Sequence, residues 1–131
     1  MIKIISTILA STILYCSSLG QTNEEKQEII QDFINNQVVN KNFEDVPLLI
    51  LENKDVSSEL YLNYANEKVQ ILPLAALFDS GKQYIEIKMI DYKSNRTKIE
   101  LIVYKSNIAF EIIDGFNYKL RKIDNKWIIV E

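Results

Sequence analysis

The chain of 131 residues has no histidine, one cysteine, three glycines and two prolines. Each shortage excludes something. Histidine is the one side chain that ordinarily titrates between pH 5 and 8, so its absence removes the commonest general base and every His-based triad. It also removes the usual ligand of zinc and most transition metals. A single cysteine forms no intrachain disulfide, so the fold must be held by its core. The glycines, at 20, 81 and 115, are isolated, and no Gly-rich phosphate loop can be written. A net charge of −3 argues against non-specific nucleic-acid binding. No metal site and no cofactor are expected. Any acid–base work would fall to Asp, Glu, Tyr or Lys.

What is present is globular: 47% hydrophobic and 25% charged residues, with no internal repeat. The first twenty residues stand apart. Lys3 gives a positive start, residues 4–15 are apolar apart from Ser and Thr, and Ser18-Leu19-Gly20 puts small residues where a signal peptidase cuts. The expectation is a signal peptide over 1–20 and a single exported α+β domain over 21–131, secreted or periplasmic. The apolar core is shorter than the roughly 20 residues of a membrane span, so no stable span is expected after cleavage. Cys16 offers an alternative, the lipid-bearing residue of an anchored lipoprotein, although Tyr15 before it is bulky for that signal.

Residues 22–41 predict an amphipathic helix. Thr22 and Glu25 have capping-box spacing, each satisfying the other's free backbone N–H. Ile29, Ile30, Phe33, Ile34 and Val38 form an apolar stripe. Lys26, Gln31, Asp32, Asn35 and Asn36 fall largely on the opposite side. Acids prevail on that polar face, which disfavours a membrane-surface helix.

Residues 42–81 carry weaker signals. The apolar run 46–51, with Pro47 near its start, suits a buried strand or a turn or two of helix. Asn53-Lys54-Asp55 reads as a loop. Ser57 or Ser58 would cap a short helix running to Tyr64, with Leu60, Tyr61 and Tyr64 at helical spacing. Residues 69–72 suit a strand. Residues 74–78 suit a brief helix, with Pro73 at its start and Gly81 just past its end.

From residue 84 onward the period changes to two, and an antiparallel sheet is predicted. Runs at 85–89 and 97–104 flank the polar turn 93–96, a third lies at 108–113, a fourth at 116–123 and a last at 127–130. Asp114-Gly115 is a hairpin signal, since both turn residues need positive φ, and Asp124-Asn125 turns the chain again. The glycosylation-like triplet Asn95-Arg96-Thr97 is read as part of a turn. Alternation assigns Ile85, Ile87, Met89, Ile99, Leu101, Val103, Tyr118, Leu120, Trp127 and Ile129 to the core face. Glu86, Lys88, Lys98, Glu100, Lys119 and Arg121 go to the outer face, where opposite signs pair and stay solvated. Charge is uneven along the chain. Residues 21–81 hold four lysines against eleven acids, and residues 82–131 hold ten cations against seven acids.

A capped helix, an irregular middle and antiparallel strands ending in residues 116–130, with Lys126-Trp127-Ile128-Ile129 after a polar turn, resemble the nuclear-transport-factor-2-like (cystatin-like fold) superfamily. They also resemble small secreted bacterial proteins with such a tail. The resemblance implies an N-terminal amphipathic helix packed on a curved antiparallel sheet of four to six strands, around a conical apolar pocket. The isomerase members use a carboxylate base with Tyr and acid donors, but those roles map onto no position here, and no catalytic residue is assigned. The expected function is a non-catalytic module for a small apolar ligand or a protein, with Phe33, Met89, Leu101 and Tyr118 lining the pocket. The alternative is an isomerase- or dehydratase-like enzyme with a carboxylate in the cone.

Overall fold

A computed structural model describes residues 22–43, 46–104 and 112–130. The expected signal peptide, Cys16 and most of the run 108–113 lie outside the described residues. The described chain is α+β. Helix α1 (Asn23–Asn35) is followed by a turn of helix α2 (Gln37–Asn40), and a third helix α3 (Leu74–Ser80) comes before the long strands. A six-stranded sheet has the order β4 (Gln70–Leu72), β1 (Leu49–Leu51), β5 (Tyr84–Lys93), β6 (Arg96–Tyr104), β7 (Ile112–Ile123), β8 (Lys126–Ile129). A separate hairpin pairs β2 (Asn63–Tyr64) with β3 (Glu67–Lys68). The sheet is mostly antiparallel and mixed, because β1 runs parallel to both β4 and β5. This corrects the wholly antiparallel expectation. No helix among the described residues is long and apolar enough to cross a membrane.

Thr22 caps α1, its hydroxyl accepting the Glu25 N–H at 3.2 Å. The reciprocal half of the capping box is replaced by a tertiary contact, in which Glu25 accepts the Tyr92 hydroxyl at 2.9 Å. The expected single helix breaks at Asn36, whose backbone is extended and whose side chain accepts the Val38 N–H at 2.8 Å. Asparagine is among the best N-caps, and here it starts a new turn. The break shifts the helical phase, so Val39 is buried and Val38, placed on the apolar stripe by its spacing, is 53% exposed.

The extended segment before β2 replaces the expected helix ending at Tyr64. Leu60 and Leu62 are buried while Tyr61 is exposed, an alternation of period two. Ala65 and Asn66 both have positive φ and turn the chain into β3. Two glutamines one turn apart on α1 hold this segment. Gln27 accepts the Tyr61 N–H at 2.8 Å. Gln31 accepts the Asn63 N–H and donates to its carbonyl, both at 2.9 Å. Side-chain amides thus serve as a neighbouring strand would, which outweighs the weak helical spacing.

The Asp114-Gly115 hairpin is also overturned. Both residues lie inside β7, and neither has the positive φ that such a turn needs. Their register is Asp114 opposite Val103 and Gly115 opposite Ile102, beside a bulge at Val103/Tyr104. Asp124 and Asn125 do have positive φ and close the β7–β8 hairpin. Helix α3 runs between Pro73 and a left-handed Gly81, as its punctuation implies.

Candidate functional site

The two faces of the sheet differ. On the helix face the main core joins Ile29, Ile30, Phe33 and Ile34 of α1 to Ile85, Ile87, Met89, Ile99, Leu101, Val103, Tyr118, Leu120 and Trp127. The four expected pocket residues are all here and all buried. Phe33 meets Tyr118 edge-on, with ring centroids 5.3 Å apart. Burial is also what raises the Tyr118 hydroxyl above the usual tyrosine range, against a hydrogen bond from Asn42 that lowers it.

The opposite face is covered at one end. There α3 packs on β1, and Leu49, Leu77, Tyr84 and Tyr104 form a second cluster. The rings of Tyr84 and Tyr104 stack at 4.9 Å. Glu86, expected to be solvated, is buried under this cover and accepts the Tyr104 hydroxyl at 2.8 Å. Burial and that hydrogen bond hold the Tyr104 hydroxyl far above its ordinary range. Burial, and then Glu86, raise the Tyr84 hydroxyl too. Nothing in the alternation of β5 signals this burial, because the cover comes from a helix elsewhere in the chain.

A second buried acid, Asp55, sits at the edge of β5. Its carboxylate accepts the Met89 N–H at 2.9 Å, and the Asn53 amide donates to the Ile87 carbonyl at 2.9 Å. The pairing of β1 with β5 is recorded only at Ile50 and Ile85, and these two loop side chains continue it. Asp55 and Glu86 are the buried acids among the described residues. One satisfies backbone, the other a tyrosine.

The far end of the outer face is open and strongly cationic. Antiparallel register sets Arg96 opposite Arg121 and Lys98 opposite Lys119. Of the opposite-sign pairs expected here, Lys88 and Glu100 do meet, at 3.9 Å. On the β7 side, however, Lys98 faces another lysine. Directly opposed like charges destabilise a sheet, and two such pairs lie two residues apart. They border a groove of about 360 Å³ lined by Lys93, Arg96, Lys98, Lys119 and Arg121, with Asp91 and Val130 at its sides. The backbone geometry that shapes it is local. β5 has a register irregularity between Ile90 and Lys93, and Asp91 there has φ 54°. Asp91 lies 3.8 Å from Lys98, and among the described residues no acid forms an ion pair with Arg96 or Arg121.

Sequence reasoning found Lys98, Lys119 and Arg121 as outer-face residues but not their juxtaposition. The available signal was the cationic excess of residues 82–131. The missing piece was the β6–β7 register, which the displaced turn concealed. No group of His, Cys, Asp or Glu among the described residues has the arrangement of a metal site. No protein-family model, curated protein or solved structure matches this chain.

Proposed function

We propose that the chain is an exported, non-catalytic binding domain that takes an anionic ligand on the open face of its sheet. The observation that carries this reading is the cross-strand pair Arg96 and Arg121, neither of which forms an ion pair with an acid among the described residues. A sheet that serves only as a scaffold gains nothing from placing like charges directly across two strands. An anion bound between them converts that repulsion into charge-assisted hydrogen bonds, which are about twice as strong as neutral ones. The net acidity of the whole chain does not oppose this. A local field of one sign attracts its ligand within roughly a Debye length, about 8 Å at physiological salt.

The resemblance to the nuclear-transport-factor-2-like superfamily belongs to the same proposal, with the sheet curving around α1. Export through residues 1–20, with Cys16 as the alternative lipid anchor, would place the domain outside the cytoplasm. The apolar pocket lined by Phe33, Met89, Leu101 and Tyr118 is the weaker location for a ligand, since these side chains already pack within the main core. The isomerase- or dehydratase-like reading needs a carboxylate inside the apolar pocket, within reach of substrate. Asp55 and Glu86 instead meet groups of the fold itself.

Calorimetric titration with tripolyphosphate tests the proposal. The wild-type chain should bind, with affinity falling steeply between low and high salt, and Arg121→Glu should remove binding while circular dichroism shows an unchanged fold. Absence of binding by the wild type, or equal binding by folded Arg121→Glu, would refute it.

A further inference from the structure

Three cations of the groove form a line, and the line has an apolar border. Strand pairing sets Lys93 of β5 against Arg96 of β6, Arg96 against Arg121 of β7, and Arg121 against Ile128 of β8. Residues directly opposite across antiparallel strands share a face, so these four side chains form one row on the open side of the sheet. Adjacent strands lie about 4.8 Å apart, and the three cations therefore span about 10 Å. Among the described residues no acid forms an ion pair with Lys93, Arg96 or Arg121. Lys98 and Lys119 stand outside this row and are not free: Asp91 lies 3.8 Å from Lys98, and Lys119 is engaged as well.

The aliphatic residues of the same face are the second observation. Ile90 is paired with Lys98, two positions from Arg96, and Ile123 follows Arg121 by two positions, so the period of a strand puts both on the side of the cations. Val130 lines the groove beside Arg121. Ile90, Ile123, Ile128 and Val130 are each between 40% and 44% exposed. Single exposed aliphatic residues are ordinary. Four around one row of unpaired cations make a composite surface, positive within and apolar at its border. A soluble polyanion would use the cations and leave the aliphatic side chains in water. A single-stranded nucleic acid is bound on aromatic platforms, and this border is aliphatic. An anionic bilayer uses both groups: basic side chains meet the headgroups while aliphatic ones enter the boundary of the acyl region. The charge distribution of the fold agrees. Helix α1, with Glu24, Glu25, Glu28 and Asp32, packs on the opposite face of the sheet, so a negative surface is met by the cations with these acids turned away. Resting on the anionic-ligand reading above, we infer that the face built from Lys93, Arg96, Arg121, Ile90, Ile128 and Val130 docks on an anionic lipid surface.

Co-sedimentation of the intact chain with lipid vesicles tests this, beside the tripolyphosphate titration. The wild type should bind phosphatidylcholine vesicles containing about one-third phosphatidylglycerol, should ignore pure phosphatidylcholine, and should be released by high salt. Each cation near such a surface contributes a factor of about five in affinity. Arg96→Gln combined with Arg121→Gln should therefore weaken vesicle binding about twentyfold or more. Lys54→Gln also removes one charge, but on the α1 side, where Lys26 donates to the Lys54 carbonyl at 3.2 Å. It should change binding by less than about twofold, because the attraction fades within a Debye length. Ile90→Thr combined with Ile128→Thr should weaken vesicle binding about fivefold or more and leave tripolyphosphate binding unchanged. Circular dichroism checks the fold of each variant. Undiminished vesicle binding by the folded arginine variant or the folded isoleucine variant would overturn the lipid surface as partner, as would a loss with Lys54→Gln equal to that of the arginine pair. If tripolyphosphate binds and the vesicles do not, this inference fails while the anionic-ligand reading stands. If neither binds, both fail.

Discussion

The Asp32 carboxylate accepts the backbone N–H of Trp127 at 2.9 Å, across 95 positions of sequence. Trp127 lies on β8, the last strand of the sheet and one of its two edges. An edge strand offers unpaired N–H groups to any other chain. The helix here supplies an acceptor to one of them, from the polar side of α1 that composition alone would call solvated. Glu28 adds an ion pair to Lys122 at 4.0 Å along the same helix–sheet contact. Asp32→Ala should cost about 1.5–3 kcal/mol, the range of a hydrogen bond to a charged group. It should also promote self-association through the freed edge. Urea unfolding measures the first effect and light scattering of the folded variant the second. A variant as stable and as monomeric as the wild type would show that water serves the Trp127 N–H equally well.

The Tyr92 hydroxyl ties β5 to the first turns of α1, and its alkaline titration reports on that tie. Burial first, then the hydrogen bond and the charge of Glu25, push its pKa up from 10 to about 12. A tyrosine that holds its proton more tightly when folded stabilises the fold fully below its unfolded pKa. That contribution is lost as pH rises through 10 towards 12. Stability should therefore fall over this window, and Tyr92→Phe should be less stable at pH 8 yet show a shallower decline. The difference between the two proteins in urea midpoint, measured at pH 8 and pH 11, is the check. A difference that stays constant with pH would exclude Tyr92 as the group responsible.

Tyr104 and Glu86 invite a different substitution. Tyr104→Phe keeps the ring that stacks on Tyr84 but removes the donor at 2.8 Å from the buried Glu86 carboxylate. Leaving a buried acceptor without its donor costs about 1–3 kcal/mol, more when the acceptor is charged. The double variant Tyr104→Phe with Glu86→Leu should recover part of that loss, because an apolar pair of similar shape needs no hydrogen bond. Denaturation of the two single variants and the double variant closes the cycle. Additive losses would mean that Glu86 is sufficiently solvated without Tyr104.

These contacts mark the limit of what the sequence shows. Alternation identifies β5, β6 and β8 and puts the core face in the right residues, from Ile85 through Trp127. The Pro73–Gly81 punctuation places α3, and Asp124-Asn125 places the last turn. These signals are local, so they survive without knowledge of the fold. Parallel pairing of the three-residue β1 is not local, nor is the burial of Glu86 under α3. Both depend on where a short element from residues 46–81 comes to rest. Asp114-Gly115 misleads for the opposite reason, since a strong local turn signal is overridden by the continuous β6–β7 ladder. Placing that turn at 114–115 in turn hides the register that sets Arg96 against Arg121. The sheet face of the main core and the α1 stripe up to Ile34 are legible residue by residue, whereas Val38 is misplaced and Val39, Val56 and Leu62 go unassigned; the role given to Phe33, Met89, Leu101 and Tyr118 comes from the resemblance.

The cation ladder makes a prediction about stability that runs opposite to binding. With Arg121 replaced by Glu, the cross-strand partner of Arg96 becomes an acid. An opposite-charge pair contributes roughly 0.2–1 kcal/mol, and the like-charge pair it replaces was unfavourable. Arg121→Glu should therefore unfold at a higher urea concentration than the wild type at low salt. Raising the salt should shrink the difference, because the pair is exposed to solvent and screened. Arg121→Gln should fall between the two, having lost the repulsion without gaining the attraction. A scaffold face would show no such ordering, since a residue chosen for stability is not improved by reversing its charge. Unfolding curves for the three proteins at 0.02 and 0.5 M salt decide the matter. If Arg121→Glu is less stable than the wild type at low salt, the opposed arginines are not a cost to the fold, and the physical argument for a ligand between them is lost.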